Sequence, residues 1–267
     1  MSSSITFGHY FPGNSLLHRL DPRMKMCALF LLIVVLFITR SFWGLLLIGV
    51  FVFGSLVSTG ISLKYFFRGL RPIAYIIFIT VVLHFLFTPG GEVWLRIGRI
   101  TIESDGVYLG IFMAARLMLL VMMSTLLILT TSPVALTDTI ESFLRPFRRL
   151  GVPAHEIAMI MTIALRFIPT LMTESEKIVK ARIARGADFT SGNIFERARS
   201  LIPIIVPLFV SAFRRADDLA VAMEARCYRG GENRTRMREL CLKRIDFIGF
   251  FVVVLLVSTI VALRIWQ

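Results

Sequence analysis

Two short runs in the basic half of the chain carry the side chains best suited to chemistry with a partner. One reads Ala181-Arg182-Ile183-Ala184-Arg185-Gly186-Ala187. The other reads Ala222-Met223-Glu224-Ala225-Arg226-Cys227-Tyr228, and both contain the pattern A-x-x-A-R. A planar guanidinium makes paired hydrogen bonds to a carboxylate, and a small neighbour lets a partner approach closely. Two matching ends suit a partner that comes as a two-fold or pseudo-two-fold pair. A plainer origin is also open: alanine favours helix, and arginine near a helix C-terminus offsets its dipole. Only five of the 30 basic residues are lysine, a bias toward geometric recognition over a diffuse basic surface. Asp188 and Glu224 stand beside the arginines, either restraining them or as solvated charge.

Other polar candidates lie in apolar surroundings. Arg116 sits about ten residues into a long apolar block, where a charge is a functional candidate by default. It has no acidic partner at similar depth, so a structural role bonding carbonyls or snorkelling is favoured. His84 stands alone in another block, with no second His or Cys nearby, and is read as a packed, hydrogen-bonded histidine and not a ligand. Gly106, Gly110 and Ala114 form a small-xxx-small-xxx-small edge that permits close helix packing, as an internal contact or as a surface for another subunit. The three cysteines, Cys27, Cys227 and Cys241, are far apart and imply neither a disulfide framework nor a metal site. The motifs H-E-x-x-H, G-x-S-x-G and G-x-x-x-x-G-K-[ST] are absent. The chain is therefore not expected to hydrolyse ATP itself. An intramembrane hydrolase or lipid transferase is the rival function, and it would need a nucleophile, base or metal set meeting at one depth. A channel would want polar residues lining several spans, and these blocks are almost wholly apolar.

The elements that hold these residues are written in the composition. The 267 residues are 56% hydrophobic, 12% aromatic and only 18% charged, with a mean hydropathy of +0.77. That balance excludes an ordinary soluble enzyme and a disordered chain. The hydrocarbon core of a bilayer, about 30 Å thick, takes roughly 20 apolar residues of helix. Five blocks are expected to span it, at about Met26–Thr39, Phe42–Thr59, Ile73–Thr88, Val107–Thr130 and Phe247–Leu263. No cleavable leader is expected at the N-terminus, which is read as an ordered arm with a helix start at Asp21-Pro22.

The net charge is +13, and most of it lies between Glu141 and Arg244, where 19 Lys and Arg face 11 Asp and Glu. Short basic loops stay in the cytoplasm, a rule that weakens for long segments. Arg19, Arg23 and Lys25, then Lys64, Arg68 and Arg71, agree with that side. The N-terminus and the basic region are thus expected inside, the C-terminus and the loop of about Pro89–Asp105 outside. Four segments follow: an N-terminal cytoplasmic arm (1–25), the first four spans (26–131), a cytoplasmic region of long helices (132–244), and the last span with the C-terminus (245–267).

The basic region is helical by pattern. Pro133 and Pro153 can open helices. Met161, Ile168, Met172, Val179 and Ile183 recur at 7, 4, 7, 4, which is one helix face, and Gly186 supplies the stop. Glu174–Lys177 and Glu176–Lys180 are expected ion pairs on its exposed side. Pro169 is expected to kink this helix. A second helix starts near Ile194. It carries Phe209, Phe213, Ala216, Ala220, Met223 and Cys227 as a stripe, with Arg214, Arg215, Asp217 and Asp218 opposite. It is expected to end at Gly230-Gly231 and to bend or divide at Pro203 and Pro207. The apolar runs Ile157–Ile168 and Leu201–Phe213 are short and framed by charge, so they are read as amphipathic helix lying against the membrane and not as spans. The fold class is an all-α membrane protein, with about five transmembrane helices and a cytoplasmic domain of long crossed amphipathic helices.

With these residues in place the chain resembles the transmembrane T component of energy-coupling factor (ECF) transporters, a branch of the ABC superfamily. The resemblance covers nearly the whole chain. It rests on PGNSLLHRLDPRMK near the N-terminus, ALRFIPTL from Ala164 to Leu171, ARGADF from Ala184 to Phe189, and MEARCYRGG from Met223 to Gly231. It implies a non-catalytic subunit of an importer for vitamins or other micronutrients. The implied partners are two cytoplasmic ABC ATPase subunits, expected as a heterodimer, and one small substrate-binding S component at a time, exchangeable among several. Lipid is implied as a surrounding and nucleic acid is not. ATP and Mg would be bound by the ATPases, with no cofactor on this chain. The docking residues implied are Ala184, Arg185 and Gly186, and Ala225, Arg226 and Cys227, with Cys227 where the family commonly has glycine.

Overall fold

The computed structural model describes residues 10–11, 13, 15–60, 63–97, 100–187, 194–230 and 241–266. Its helices are α1 Leu16–Arg19, α2 Pro22–Ile38, α3 Phe42–Thr59, α4 Leu63–Phe87, α5 Ser104–Thr130, α6 Pro133–Leu144, α7 Ala154–Ala184, α8 Ile194–Ala225 and α9 Arg244–Trp266. A short 3₁₀ turn covers Arg145–Leu150, and strands β1 Val93–Ile97 and β2 Ile100–Glu103 pair antiparallel. The chain divides into two compact units, residues 1–136 with 238–267, and residues 137–237.

In the first unit α2, α3, α5 and α9 share one core. Leu36, Ile48 and Leu56 are fully buried, with Phe112, Met122, Met123, Val253 and Ile260 around them. The opposite faces of the same helices are also apolar: Phe30, Phe37, Trp43, Phe53 and Phe251 stand exposed. A helix that is hydrophobic all round belongs in lipid, and this is an all-α membrane protein with one small β-hairpin. Among the described residues, four helical stretches are long and apolar enough to cross a bilayer: Phe42–Thr59, Ser104–Thr130, Ala154–Ala184 and Arg244–Arg264. Ile73–Phe87 is a shorter apolar stretch. The third of the four is α7, which was read as amphipathic. It has the length and composition to span, although Arg166, Glu174, Glu176, Lys177 and Lys180 interrupt it.

Several starts and stops follow local chemistry. Asp21 caps α2 by accepting from the Arg23 N–H at 2.9 Å, with Pro22 in the first turn. Pro133 opens α6, and Pro153 caps α7. Other boundaries differ from expectation. The basic Lys64, Arg68 and Arg71, expected between the second and third spans, lie on the first turns of α4, because that helix begins at Leu63 and continues through Pro72. The loop expected at Pro89–Asp105 holds the β-hairpin. Its β-branched and aromatic residues Val93, Trp94, Ile97, Ile100 and Ile102 favour a pleated ladder, and α5 begins directly after it at Ser104. Pro203 and Pro207 do not divide α8, which is one helix of 32 residues.

Two polar links set the register of α2 against α5. The Lys25 ammonium donates to the Thr130 carbonyl at 3.1 Å. Fourteen residues further along each helix, Arg116 donates through Nη2 to the Thr39 carbonyl. At 1.5 Å per residue the links are about 21 Å apart. Asp246, at the start of α9, is 1% exposed. It accepts from the Asp21 N–H at 2.7 Å and the Lys243 N–H at 2.6 Å, so one carboxylate holds the starts of α2 and α9.

Candidate functional site

The second unit presents two helix ends of the same construction. At the end of α7, the Gly186 N–H donates to the Ile183 carbonyl at 2.9 Å and the Ala187 N–H to the Arg182 carbonyl at 3.0 Å. At the end of α8, the Cys227 N–H donates to the Glu224 carbonyl at 2.9 Å and the Tyr228 N–H to the Met223 carbonyl at 3.0 Å. These are the two bonds of a Schellman motif, which satisfies the last carbonyls through one left-handed residue after the cap. That residue is Gly186 (φ +83°) in one end and Cys227 (φ +56°) in the other. The cap itself is Arg185 in one and Arg226 in the other. Ala184 and Ala225 each close the last helical turn.

All six of these residues are exposed, as is Glu224. Asp188 lies outside the described residues. The second end sits earlier than Gly230-Gly231, where composition put it: Cys227 takes the left-handed position instead, and among the described residues it is the only non-glycine with positive φ. Gly230 is left-handed as well, at φ +87°, but it follows the helix. An arginine at the cap, just past a turn whose carbonyls point outward, places a cation at the negative end of the helix dipole. Its guanidinium is free to meet a carboxylate from outside.

A contact between α7 and α8 lies behind both ends. The two oxygens of Glu174 are held separately: Oε1 accepts from the Ser211 hydroxyl at 2.6 Å, and Oε2 from Arg215 Nη2 at 3.0 Å. Lys177, the expected partner of Glu174, acts on it as a nearby charge, while the carboxylate's bonds go to α8. The sequence signal was present, since Ser211 and Arg215 are one turn apart on α8, but nothing local identifies their partner.

The remaining candidates belong to the first unit. A Cβ on Gly106 would meet the His84 carbonyl oxygen at 2.8 Å and the Thr88 carbonyl oxygen at 3.0 Å; one on Gly110 would meet the Phe85 ring at 2.8 Å. These two glycines are where α5 lies against α4. Ala114, one turn further, is half-buried. The guanidinium of Arg116 lies 4.8 Å from the Phe112 ring centre and 6.0 Å from that of Phe37, so aromatic faces and the Thr39 carbonyl together surround it. His84 Nδ1 is 3.1 Å from the Thr88 hydroxyl.

Comparison with known proteins agrees over the whole chain. The family described as "Cobalt transport protein" (CbiQ) matches residues 13–237. A relative from Thermosediminibacter oceani, named energy-coupling factor transporter transmembrane protein EcfT, is 57% identical over 98% of this chain and 99% of its own length. The protein of that name from Clostridium kluyveri is 50% identical over 100% of this chain and 99% of its own. The one from Bacillus subtilis is 46% identical over 90% and 91%.

Proposed function

This chain belongs to the family of energy-coupling factor transmembrane components, and we propose that it couples two cytoplasmic ATPases to a substrate-binding membrane subunit through the ends of α7 and α8. The observation that carries the reading is the pair of equivalent helix ends, each with an exposed arginine at its cap. A pair of like ends fits a pair of like partners, and acidic grooves on two ATPase subunits would meet Arg185 and Arg226 through charge-assisted hydrogen bonds. Ala184 and Ala225 keep the approach open.

ATP binding would close the ATPases on each other and carry both helix ends with them. Packed helices move as units, by sliding or hinging, so the motion reaches the membrane helices. The subunit that holds the vitamin or other micronutrient then reorients and releases it inward. In this reading ATP and Mg belong to the ATPases, this chain performs no covalent step, and its N-terminus, α7 and α8 lie on the cytoplasmic side. The non-identity of the two ends, glycine in one and cysteine in the other, fits two different ATPases.

The test is to purify the complex with the substitutions Arg185→Ala and Arg226→Ala together. Both ATPases should be lost from the eluate while this chain and its S component remain. Undiminished co-purification refutes the docking role.

A further inference from the structure

The two helix ends are related by a constant offset along the chain. Ala184 and Ala225, Arg185 and Arg226, and Gly186 and Cys227 are each 41 residues apart. Carried back along both helices, the same offset pairs Glu174 with Arg215, and these are the two residues joined at 3.0 Å. The contact therefore joins corresponding positions of the two helices. Each tip arginine follows its member of the pair by eleven residues, about 16 Å of helix. The contact is therefore equidistant from both tips.

The helix on the tip side of the contact is uninterrupted. Pro169 lies before Glu174, and Pro203 and Pro207 lie before Ser211. A proline inside a helix removes one backbone hydrogen bond and loosens that turn. The loosened turns thus fall behind the contact and two regular arms fall ahead of it. An ion pair between side chains only half-buried, as these are, adds little to stability. Its geometry is nonetheless defined, because both oxygens of one carboxylate are engaged by different donors and cannot slide along α8 without losing both bonds. Arg215 Nε is also 3.5 Å from the Ser211 hydroxyl, which closes the set into a triangle.

We infer that Glu174, Ser211 and Arg215 form the pivot of the α7–α8 pair, a positioning element that sets the resting separation of the two tips and passes the movement of one arm to the other. This deepens the docking reading, on which its role in transport rests. The pivot itself is a property of the chain alone.

The experiment reads the tip separation directly. Ala181 and Ala222 are exposed, equivalent under the same offset, and outside the docking motifs. Spin labels are placed there through Ala181→Cys and Ala222→Cys in the full-length chain, with Cys27→Ala, Cys227→Gly and Cys241→Ser to remove the native thiols. The parent should give one narrow distance. Glu174→Ala and Arg215→Ala should each broaden it, and the double variant should broaden it no further than either alone. The exchange Glu174→Arg with Arg215→Glu should restore the narrow distance, a rescue that a general loss of packing would not show. If either single variant fails to purify, the exchange variant decides the matter alone. An unchanged distance in Glu174→Ala, or an exchange variant that stays broad, overturns the pivot. In the reconstituted complex, substrate imported per ATP hydrolysed should fall roughly tenfold in Glu174→Ala while the ATPases stay bound, the order of change expected when one coupling contact is lost. A ratio equal to the parent's also overturns it. Retention of the ATPases by the double arginine variant would refute docking and leave the distance measurement untouched.

Discussion

Cys227 holds a backbone conformation that costs an L residue roughly 1–2 kcal/mol, because its Cβ crowds the following carbonyl oxygen. Gly186 holds the same conformation at no such cost, and open space surrounds the place its Cβ would occupy. The two tips should then respond to substitution with opposite signs. Cys227→Gly removes the crowding and adds back some glycine entropy of about 0.5–1 kcal/mol, so a net gain of up to about 1.5 kcal/mol is expected. Gly186→Ala should lose about 1 kcal/mol from backbone strain alone. Amide hydrogen exchange checks both, at Tyr228 for the first and Ala187 for the second, since each donates the bond that closes its motif. Slower exchange at Tyr228 and faster exchange at Ala187 is the expected pattern. Equal responses would mean that the two ends are not built alike. The arginines at these ends were legible from sequence because a helix stop is a local event, read from alanine, arginine and a left-handed residue in a row. The role of Cys227 was harder to see, since the two glycines that follow it are the more usual place to stop. The carbonyl bond of Arg116 was one of the two roles its isolation allowed, whereas the partner of Lys25 left no local sign. Each is satisfied by a carbonyl at the end of a helix remote in sequence, and a carbonyl leaves no mark in the choice of side chain.

Helix packing turns on how close two backbones come, and α5 shows both extremes. At Gly106 the backbone of α4 is so near that a single methyl would sit 2.8 Å from a carbonyl oxygen that cannot move without its helix. Gly106→Ala should therefore force α4 outward, at a cost of about 1–3 kcal/mol. Gly49 on α3 is the control: a Cβ there would meet only the end of the Leu119 side chain at 3.7 Å, an ordinary contact. Gly49→Ala should raise stability by about 0.5–1 kcal/mol, the usual return for replacing glycine inside a helix. Thermal unfolding in detergent should thus move down for the first and up for the second. A rise for both would show that α4 does not lie against α5 at Gly106. The small-residue edge was visible in sequence, but two uses were open for it, because spacing shows that a helix can be approached and not what approaches it. The same limit explains Glu174. Its neighbour Lys177 is one turn away and visible, whereas its partners Ser211 and Arg215 are set by how α7 and α8 cross. Long helices with capping residues were legible for the converse reason: period and caps are local, and Asp21-Pro22, Pro133, Pro153 and Gly186 each act within one turn.

At the scale of the molecule, the proposed docking would let two weak contacts serve as one attachment. Composition alone revealed a lipid-embedded part and a basic part, because burial in lipid and charge leave opposite marks on a chain. It did not separate α7 cleanly, since a helix with one apolar face and a long apolar stretch satisfies both descriptions. If α7 and α8 each dock one member of an ATPase pair, the second contact forms at a high effective concentration once the first is made. Such linkage raises the overall affinity by about 10²–10⁴ over either contact alone. Arg185→Ala and Arg226→Ala should then behave very differently alone and together. Each single variant should retain both ATPases in concentrated preparations and lose them on dilution, because the linked advantage is gone while one contact survives. The double variant should fail to retain them at any concentration. Pull-down of the ATPases across a dilution series measures this directly. If one single variant already releases both subunits at high concentration, one tip carries the attachment and the other only follows it. If both singles match the parent on dilution, the arginines are not the contact. The difference between glycine and cysteine at the two tips makes the first comparison informative as well. Should the Arg226→Ala variant release its ATPase at a lower dilution than Arg185→Ala, the strained end is the one bound more tightly, and its strain is offset by the contact it makes.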